Sequence, residues 1–349
     1  MRKKILVTGG TGYIGSHTAV ELINDGFDVV IIDNLYNSEA EVADHISKIT
    51  GVKPHLEVFD LCDKAKTDAF FIKNTDISAV IHFAAYKAVG ESVNKPIDYY
   101  RNNLLSLVNL LGTMKQNGIP HFVFSSSCTV YGQPEKLPVT EDAPLQPATS
   151  PYGNTKQVGE TIIRDTTVSD KTITAISLRY FNPIGAHPSA LIGELPRGVP
   201  ENLVPYITQT AYGLRDELRV FGNDYDTPDG SCIRDYLHVV DLAKAHVVAV
   251  KRLIEGKNKK NYEVFNLGTG TGVSVLEAIK SFERVSGIKL KYKIVGRRTG
   301  DIEKIWADPS FANKELGWKT LSSLDEAMKT AWDWEKEVRR KKEKGERKK

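Results

Sequence analysis

The segment SPYGNTK places Tyr152 and Lys156 four residues apart, a spacing that puts a phenol and an ammonium on one face of a single helical turn. A phenol so placed can act as a base and an acid. Free tyrosine titrates near pH ~10 and keeps its proton at neutral pH unless a neighbouring cation favours the phenolate, which a lysine one turn away supplies. The bare spacing recurs by chance on surface helices, so its meaning depends on what the chain sets beside it.

The N-terminal stretch KKILVTGGTGYIGSHTAVELI begins with an apolar run, Ile5 to Val7, suited to a buried parallel strand. Gly9, Gly10, Gly12 and Gly15 follow, and an apolar pattern of helical period takes over at Ala19, Val20 and Ile23. Strand, glycine turn and helix in that order form a cradle for a pyrophosphate, with backbone N–H groups close to the phosphates and the helix N-terminus facing their charge. Asp33 closes the next predicted strand, Val29 to Ile32. A carboxylate there accepts hydrogen bonds from both ribose hydroxyls of a dinucleotide and repels a 2′-phosphate. Asn34, Leu35 and Tyr36 bring no cation to neutralise one. The expected cofactor is NAD rather than NADP.

Bulk properties restrict the remaining classes. With 349 residues, 41% apolar and 26% charged, the chain can bury a sizeable core in one large or two modest domains. No apolar run reaches the ~18 residues of a membrane-spanning helix. Arg2 to Lys4 followed by three apolar residues is too short for a signal peptide, so a cytoplasmic location is expected. Cys62, Cys128 and Cys232 are widely separated and match no metal spacing. Reduced thiols, no disulfide and no metal are expected. Residues 335–349 hold nine basic and four acidic side chains, which leaves the rest of the chain at −2 despite a total of +3. The tail reads as a solvated, frayed helix end, and no nucleic acid is expected as a partner.

Up to about residue 180, short β-branched or aromatic runs alternate with helical stretches: Ile5–Thr8, Val29–Asp33, His55–Val58, Ala79–Phe83, His121–Ser126 and Ile173–Tyr180. This alternation predicts an α/β fold with a Rossmann-type, doubly wound parallel sheet over residues 1–182. Ligands on such sheets sit beyond the carboxyl ends of the strands, where HFAAYKAVGES, SSSCTVYG and RYFNPIGAHP emerge. Residues 183–334 are richer in Gly and Pro and read as a smaller C-terminal substrate lobe, with Val264–Leu267 returning to the main sheet. GTGTG after that strand reads as a strand-to-helix turn rather than a second phosphate loop. The helix RNNLLSLVNLLGTM carries Leu104, Leu105, Leu107, Val108, Leu110 and Leu111 around most of its circumference. Such a helix is covered on more than one side, and a homodimer through a bundle with the Tyr152 helix is expected.

Taken together, TGGTGYIGSHT, DNL, IHFAAYKAVGES, FSSSCTVYG, SPYGNTK, LRYFNPIGAHPS, FGNDYDTPDGSCIRDYLHV and RRTGD resemble the extended short-chain dehydrogenase/reductase family, from about residue 3 to about residue 335. The resemblance implies an isomerase that interconverts UDP-glucose and UDP-galactose. Tyr152 would take the proton of the sugar 4-hydroxyl while hydride passes from C4 to NAD. The resulting 4-keto sugar would rotate and take the hydride back on its other face.

By the same resemblance Ser127, Tyr152 and Lys156 form the catalytic set. Gly9, Gly12 and Gly15 with Tyr13 and Ile14 would meet the pyrophosphate, and Asp33, Asn34, Asn37 and Ser38 belong to the cofactor site. Asp60 and Leu61 would meet the adenine. Phe83, Ala84 and Lys87 would run along the cofactor, with Asn102 and Tyr180 completing its site. On the substrate side, Asn182 and Asn202 would bind around the diphosphate, next to Phe181 and Leu203. Lys87 is assigned to the substrate as well. Arg234 and Arg298 would clamp the phosphates with their two-pronged guanidinium groups, and Phe221 and Asp301 would meet the uridine. Asp235 and Asp241 are expected to be structural.

Three positions depart from the family pattern. Ala85 and Tyr86 stand where Gly-Leu is usual, and Cys128 stands where alanine is usual and reads as a packing residue. Ile305 occupies the position that sets the room beside the sugar 2-substituent, where a tyrosine excludes N-acetyl sugars. A shorter side chain predicts that UDP-N-acetylglucosamine and its galactosamine epimer are also accepted. The nearest alternative is a sugar-nucleotide 4,6-dehydratase, which needs an Asp-Glu pair where this chain has Cys128 and Thr129. A non-catalytic NAD-sensing protein would have no use for Ser127, Tyr152 and Lys156 together.

Overall fold

The computed structural model describes residues 2–298 and 301–346; Thr299 and Gly300 of the RRTGD motif and residues 347–349 of the basic tail lie outside the described residues. Seven parallel strands build the main sheet: β1 Lys4–Thr8, β2 Asp28–Asp33, β3 His55–Val58, β4 Ile77–His82, β5 His121–Ser125, β6 Thr174–Tyr180 and β7 Tyr262–Leu267. Their spatial order is β7-β6-β5-β4-β1-β2-β3. The α/β expectation and the return of the late strand to the sheet are both met, since β7 pairs in register with β6 from Tyr262↔Ala175 to Leu267↔Tyr180. The order reverses between β1 and β4, which opens a crevice at their carboxyl ends.

The strands are legible because both faces of the sheet are buried. Ile5, Leu6 and Val7 of β1 have no exposed surface, and Ile31 and Ile32 of β2 have almost none. Continuous apolar runs of this kind are what helices on both faces require. One face packs Ala19, Val20 and Leu22 of the helix Tyr13–Asn24 against Leu242, Ala245 and Ala249 of the helix Val239–Ile254. The second face packs Leu107, Leu110 and Met114 of the helix Ser106–Gln116 with Phe122, Phe124 and Ile163. Helix Val239–Ile254 therefore belongs to the main body, a return that begins before β7 and interrupts the lobe expected over residues 183–334.

Three short sheets form the smaller lobe: Asn182–Ile184 beside Tyr236–His238, Ile233–Arg234 between Val273–Ser274 and Lys304–Ile305, and Leu218–Phe221 beside Tyr292–Val295. Its core joins Val204, Ile207, Val220, Phe282 and Trp332. The GTGTG segment is a turn, as expected. Its Thr269 and Gly270 N–H groups are taken by the Asp235 carboxylate, which also accepts from Ala307 N–H, so Asp235 is the structural residue foreseen. Asp241 likewise accepts from the N–H groups of Leu321 and Ser322.

One expectation changes. Residues 335–346 are not a frayed end but the last turns of one helix, Leu324–Glu346. Val338 and Trp334 are buried beside Ala186, and Glu335 accepts from Thr208 and Arg339 inside the lobe. The leucine-rich helix begins with a wide π turn over Arg101–Leu105; within the single chain Leu107, Leu110 and Leu111 are buried while Leu105 and Val108 face outward.

Candidate active site

The glycine loop joins β1 to the helix Tyr13–Asn24 at the open crevice. Gly9 has φ 69°, and a Cβ there would lie 2.8 Å from the Ala84 nitrogen. A Cβ on Gly15 would lie 2.2 Å from the Gly9 carbonyl oxygen. The loop is thus closed to any side chain and leaves its backbone bare. Gly12 caps the helix without a side-chain bond, so the first N–H groups stay free for an anion. These features fit a dinucleotide pyrophosphate.

Asp33, at the end of β2, is buried and braces the loop. Its carboxylate accepts from Thr11 N–H at 3.1 Å, Leu35 N–H at 2.9 Å and the Ser38 hydroxyl at 3.1 Å. Asn34 donates to Asp60 at 3.1 Å, and Leu61 is buried beneath. Asn37 is exposed at the same turn. A cavity of about 380 Å³ adjoins this end, with Tyr36, Asp60, Tyr86 and Asn102 among its lining residues. The Phe83 ring lies tilted against His246 at 4.6 Å between ring centres, and Ile14 packs into the core beside the loop.

The Tyr152 helix, Pro151–Ser169, starts from the Ser150 hydroxyl, which accepts from Gly153 N–H at 3.1 Å. It buries Tyr152 and Lys156 on the face toward β5. The Lys156 ammonium donates to the Ser125 carbonyl at 2.7 Å and stands 5.8 Å from the Tyr152 ring centre. Ser127 is buried at the end of the same strand, and its hydroxyl oxygen accepts from Thr129 N–H at 3.2 Å, which leaves its proton free to donate. Tyr180 hydrogen-bonds Ser125 through their hydroxyls. The structure therefore gathers Ser127, Tyr152, Lys156 and Tyr180 around the carboxyl ends of β5 and β6.

Electrostatics correct one expectation. Burial, with the Tyr180 phenol acting in the same direction, holds the Tyr152 hydroxyl well above its ordinary value, opposed by a hydrogen bond from Ser127. The depressing cation expected one helical turn away has its ammonium bound to the Ser125 carbonyl. Lys156 is itself pushed down to about 8 by burial, with Glu160 opposing. Burial also pushes the Cys128 thiol up to about 12 and keeps it neutral, which suits a packing residue.

On the lobe side, Arg298 holds Asp301 through two nitrogens at 3.2 and 2.6 Å and lies over the Phe221 ring at 5.6 Å. Arg234 reaches Asp301 at 3.8 Å. The structure brings these four residues together. Ile305 pairs with Arg234 and is buried with Phe181, Val130 and Tyr131, with Cys128 packed alongside. Asn182 follows Phe181 into the lobe strand Asn182–Ile184, and Leu203 opens the helix after Asn202.

Two residues with evident work escaped the sequence reading. Glu194 accepts from Lys87 at 2.7 Å and from Asn202 at 2.6 Å, so it joins two residues assigned to ligand binding. Glu160 takes two bonds from Arg179, at 2.9 and 2.6 Å, and one from Ser126 at 2.6 Å, which fixes the Tyr152 helix to β6. Helical spacing could have found Glu160, one turn beyond Lys156. Nothing in the chain's periodicity marks Glu194.

A family model described as GDP-mannose 4,6 dehydratase matches residues 6–331. A UDP-glucose 4-epimerase of Bacillus subtilis is 51% identical over 331 residues, covering 95% of this chain and 96% of that one. The crystal structure of a UDP-glucose-4-epimerase from Stenotrophomonas maltophila, with bound NAD and formylated UDP-arabinopyranose, is 46% identical and matches with a TM-score of 0.94, covering 97% of this chain and 100% of that one. The enzyme from Bifidobacterium longum in complex with NAD+ and UDP is 48% identical with a TM-score of 0.91, covering 96% and 98%. The chain therefore belongs to the extended short-chain dehydrogenase/reductase family, among the UDP-glucose 4-epimerases.

Proposed function

We propose that this chain interconverts UDP-glucose and UDP-galactose with NAD as a cofactor that ends each cycle unchanged. The observation that carries this reading is the convergence of Ser127, Tyr152 and Lys156 at the carboxyl ends of β5 and β6, on the same sheet edge as the glycine loop, with the lobe supplying the separate Arg234–Arg298–Asp301 group. NAD bound there supplies a hydride acceptor that also returns the hydride. The chain's own residues do the rest. Arg234 and Arg298 exchange their Asp301 contacts for the diphosphate, which sets the hexose at Tyr152. Tyr152 removes the proton of the 4-hydroxyl and later restores it, while Ser127 donates to the reacting oxygen. The buried Lys156 ammonium, fixed by Ser125, keeps two N–H donors for the phenol and the nicotinamide ribose.

Burial holds Tyr152 above its ordinary value in the ligand-free chain, so its work as a base depends on the positive charge that the cofactor would bring. A buried phenol keeps its proton until the positive charge of the nicotinamide would stand beside it; the phenolic proton then passes to solvent, and the phenolate left behind is the base that takes the 4-hydroxyl proton. A 4,6-dehydratase would need a carboxylic acid pair at Cys128 and Thr129, and a thiol held up to about 12 by burial cannot stand in for it. Incubating the protein with UDP-galactose and no added reductant tests the proposal: UDP-glucose is the expected product, its absence removes the reading, and a 4-keto-6-deoxy sugar supports the dehydratase.

Two finer features belong to the same proposal. Ile305, buried with Phe181 and with Cys128 packed alongside, is shorter than the tyrosine that excludes N-acetyl sugars, which supports UDP-N-acetylglucosamine as a second substrate. The outward Leu105 and Val108 supply an apolar strip for a homodimer that packs the Ser106–Gln116 and Pro151–Ser169 helices of two copies. Among the described residues no helix is long and apolar enough to cross a membrane, and the three cysteines are free thiols, which supports work in the reducing cytoplasm.

A further inference from the structure

We propose that the segment from Gly185 to Arg197 is a strap that retains the dinucleotide, with Arg197 as its fastener on the adenosine side. This rests on the reading that NAD occupies the glycine-loop crevice. The segment leaves the lobe strand Asn182–Ile184 and is tied down at intervals along the crevice. At its start, the Gly185 carbonyl accepts from the Tyr13 hydroxyl at 2.6 Å, over the first turn of the phosphate-facing helix. In its middle, the Glu194 carboxylate accepts from Lys87 at 2.7 Å, and the Glu194 carbonyl accepts from Trp334 Nε1 at 2.9 Å. At its end, Arg197 donates from one guanidinium nitrogen to the Tyr36 carbonyl at 2.6 Å and from the other to the Ser38 carbonyl at 2.9 Å.

The anchors lie on both banks. Tyr36 and Ser38 belong to the turn after β2, whose Leu35 N–H and Ser38 hydroxyl hold Asp33. Lys87 belongs to the segment after β4. The two banks are themselves joined, because the Tyr36 ring lies 4.7 Å from that of Tyr86, and Tyr86 is fixed through its N–H and carbonyl by Asn103. A dinucleotide with its pyrophosphate on the glycine loop and its adenosine ribose at Asp33 follows the line the strap covers. It leaves only when the Arg197 and Glu194 contacts part. Tyr86, the departure from the family's usual Gly-Leu, is then one support of the fastened turn.

The test is the rate at which bound NAD exchanges, which needs no turnover. Wild-type protein, Arg197→Ala, Arg197→Lys and Glu194→Ala are loaded with NAD tritiated on adenine and chased with excess unlabelled NAD. An Arg219→Ala control changes an exposed arginine on the lobe strand Leu218–Phe221. Release from Arg197→Ala is expected to be faster by about tenfold or more, the change that follows from losing two hydrogen bonds. Arg197→Lys should fall between, since an ammonium cannot span both carbonyls as the guanidinium fork does. Glu194→Ala should also release faster, and Arg219→Ala should match wild type. Arg197 is exposed, so unchanged thermal unfolding of the unloaded variants is expected. Wild-type protein that binds no NAD would overturn the cofactor reading and the strap with it. Wild-type protein that holds NAD, with Arg197→Ala exchanging it within about twofold of the same rate, overturns the strap alone.

Discussion

Lys156 is bound from below by Ser125: its ammonium donates to the Ser125 carbonyl at 2.7 Å, on the strand end whose hydroxyl meets Tyr180. This contact orients a cation that burial pushes down to about 8, with Glu160 opposing. Because burial lowers Lys156 to about 8 while an unfolded chain keeps the proton to ~10.4, the unfolded state binds more protons between those pH values. Stability from this site is therefore lowest below pH ~8 and rises with pH across the window. In ligand-free protein, denaturant unfolding of wild type against Lys156→Met should show the wild type gaining on the variant, by up to about 3 kcal/mol, between pH ~7.5 and ~10.5. A constant difference across that range would mean that the lysine is not discharged by burial.

Tyr152 carries the proton transfer in the proposed reaction, and its hydroxyl is the only atom that Tyr152→Phe removes. Loss of positioned acid–base catalysis lowers kcat by ~10²–10⁴-fold. UDP affinity should stay within a few-fold, because UDP meets the Arg234 and Arg298 side of the site. Steady-state turnover of UDP-galactose beside equilibrium binding of UDP separates the two effects, and a variant with undiminished kcat removes Tyr152 from the chemistry.

Arg179 and Glu160 form a two-pronged pair whose side chains are only 6% and 7% exposed. Glu160→Gln leaves the guanidinium buried without its countercharge and should destabilise by about 3–5 kcal/mol. The double replacement Glu160→Leu with Arg179→Met should recover much of that loss, since two apolar side chains leave no unpaired charge. Equilibrium denaturation of the three proteins decides this. Kcat of the double variant should stay low even when stability returns, because Ser126 loses its acceptor beside Ser127.

The strands and glycine loop were legible because buried parallel strands have a local signature, and β1 to β7 begin and end within about three residues of the apolar runs. Tyr152 and Lys156 were legible by helical spacing. What stayed hidden is held by contacts between distant segments. Glu194 and Arg197 lie in a Gly- and Pro-rich stretch with no period, and their partners Lys87, Tyr36 and Ser38 are more than 100 residues away. The basic tail was misread for a related reason. Its charges suggested a solvated end, whereas Trp334 and Val338 at helical spacing anchor one face of it to Ala186.

Ile305 offers a test of substrate choice that leaves the chemistry untouched. Its side chain is 3% exposed and packs with Phe181 and Ala307, on a two-residue strand paired with Ile233 and Arg234. Ile305→Tyr adds bulk to this wall, and overpacking there should cost about 1–3 kcal/mol of stability. The phenol must turn toward the sugar to avoid the buried cluster, filling the room that a 2-acetamido group needs. Wild type is expected to turn over both UDP-galactose and UDP-N-acetylglucosamine, and Ile305→Tyr to lose the second substrate by at least about tenfold in kcat/KM while keeping the first within a few-fold. If wild type leaves UDP-N-acetylglucosamine untouched, Ile305 does not set the pocket. If the variant loses both substrates alike, the added ring has displaced Arg234 rather than closed the sugar site.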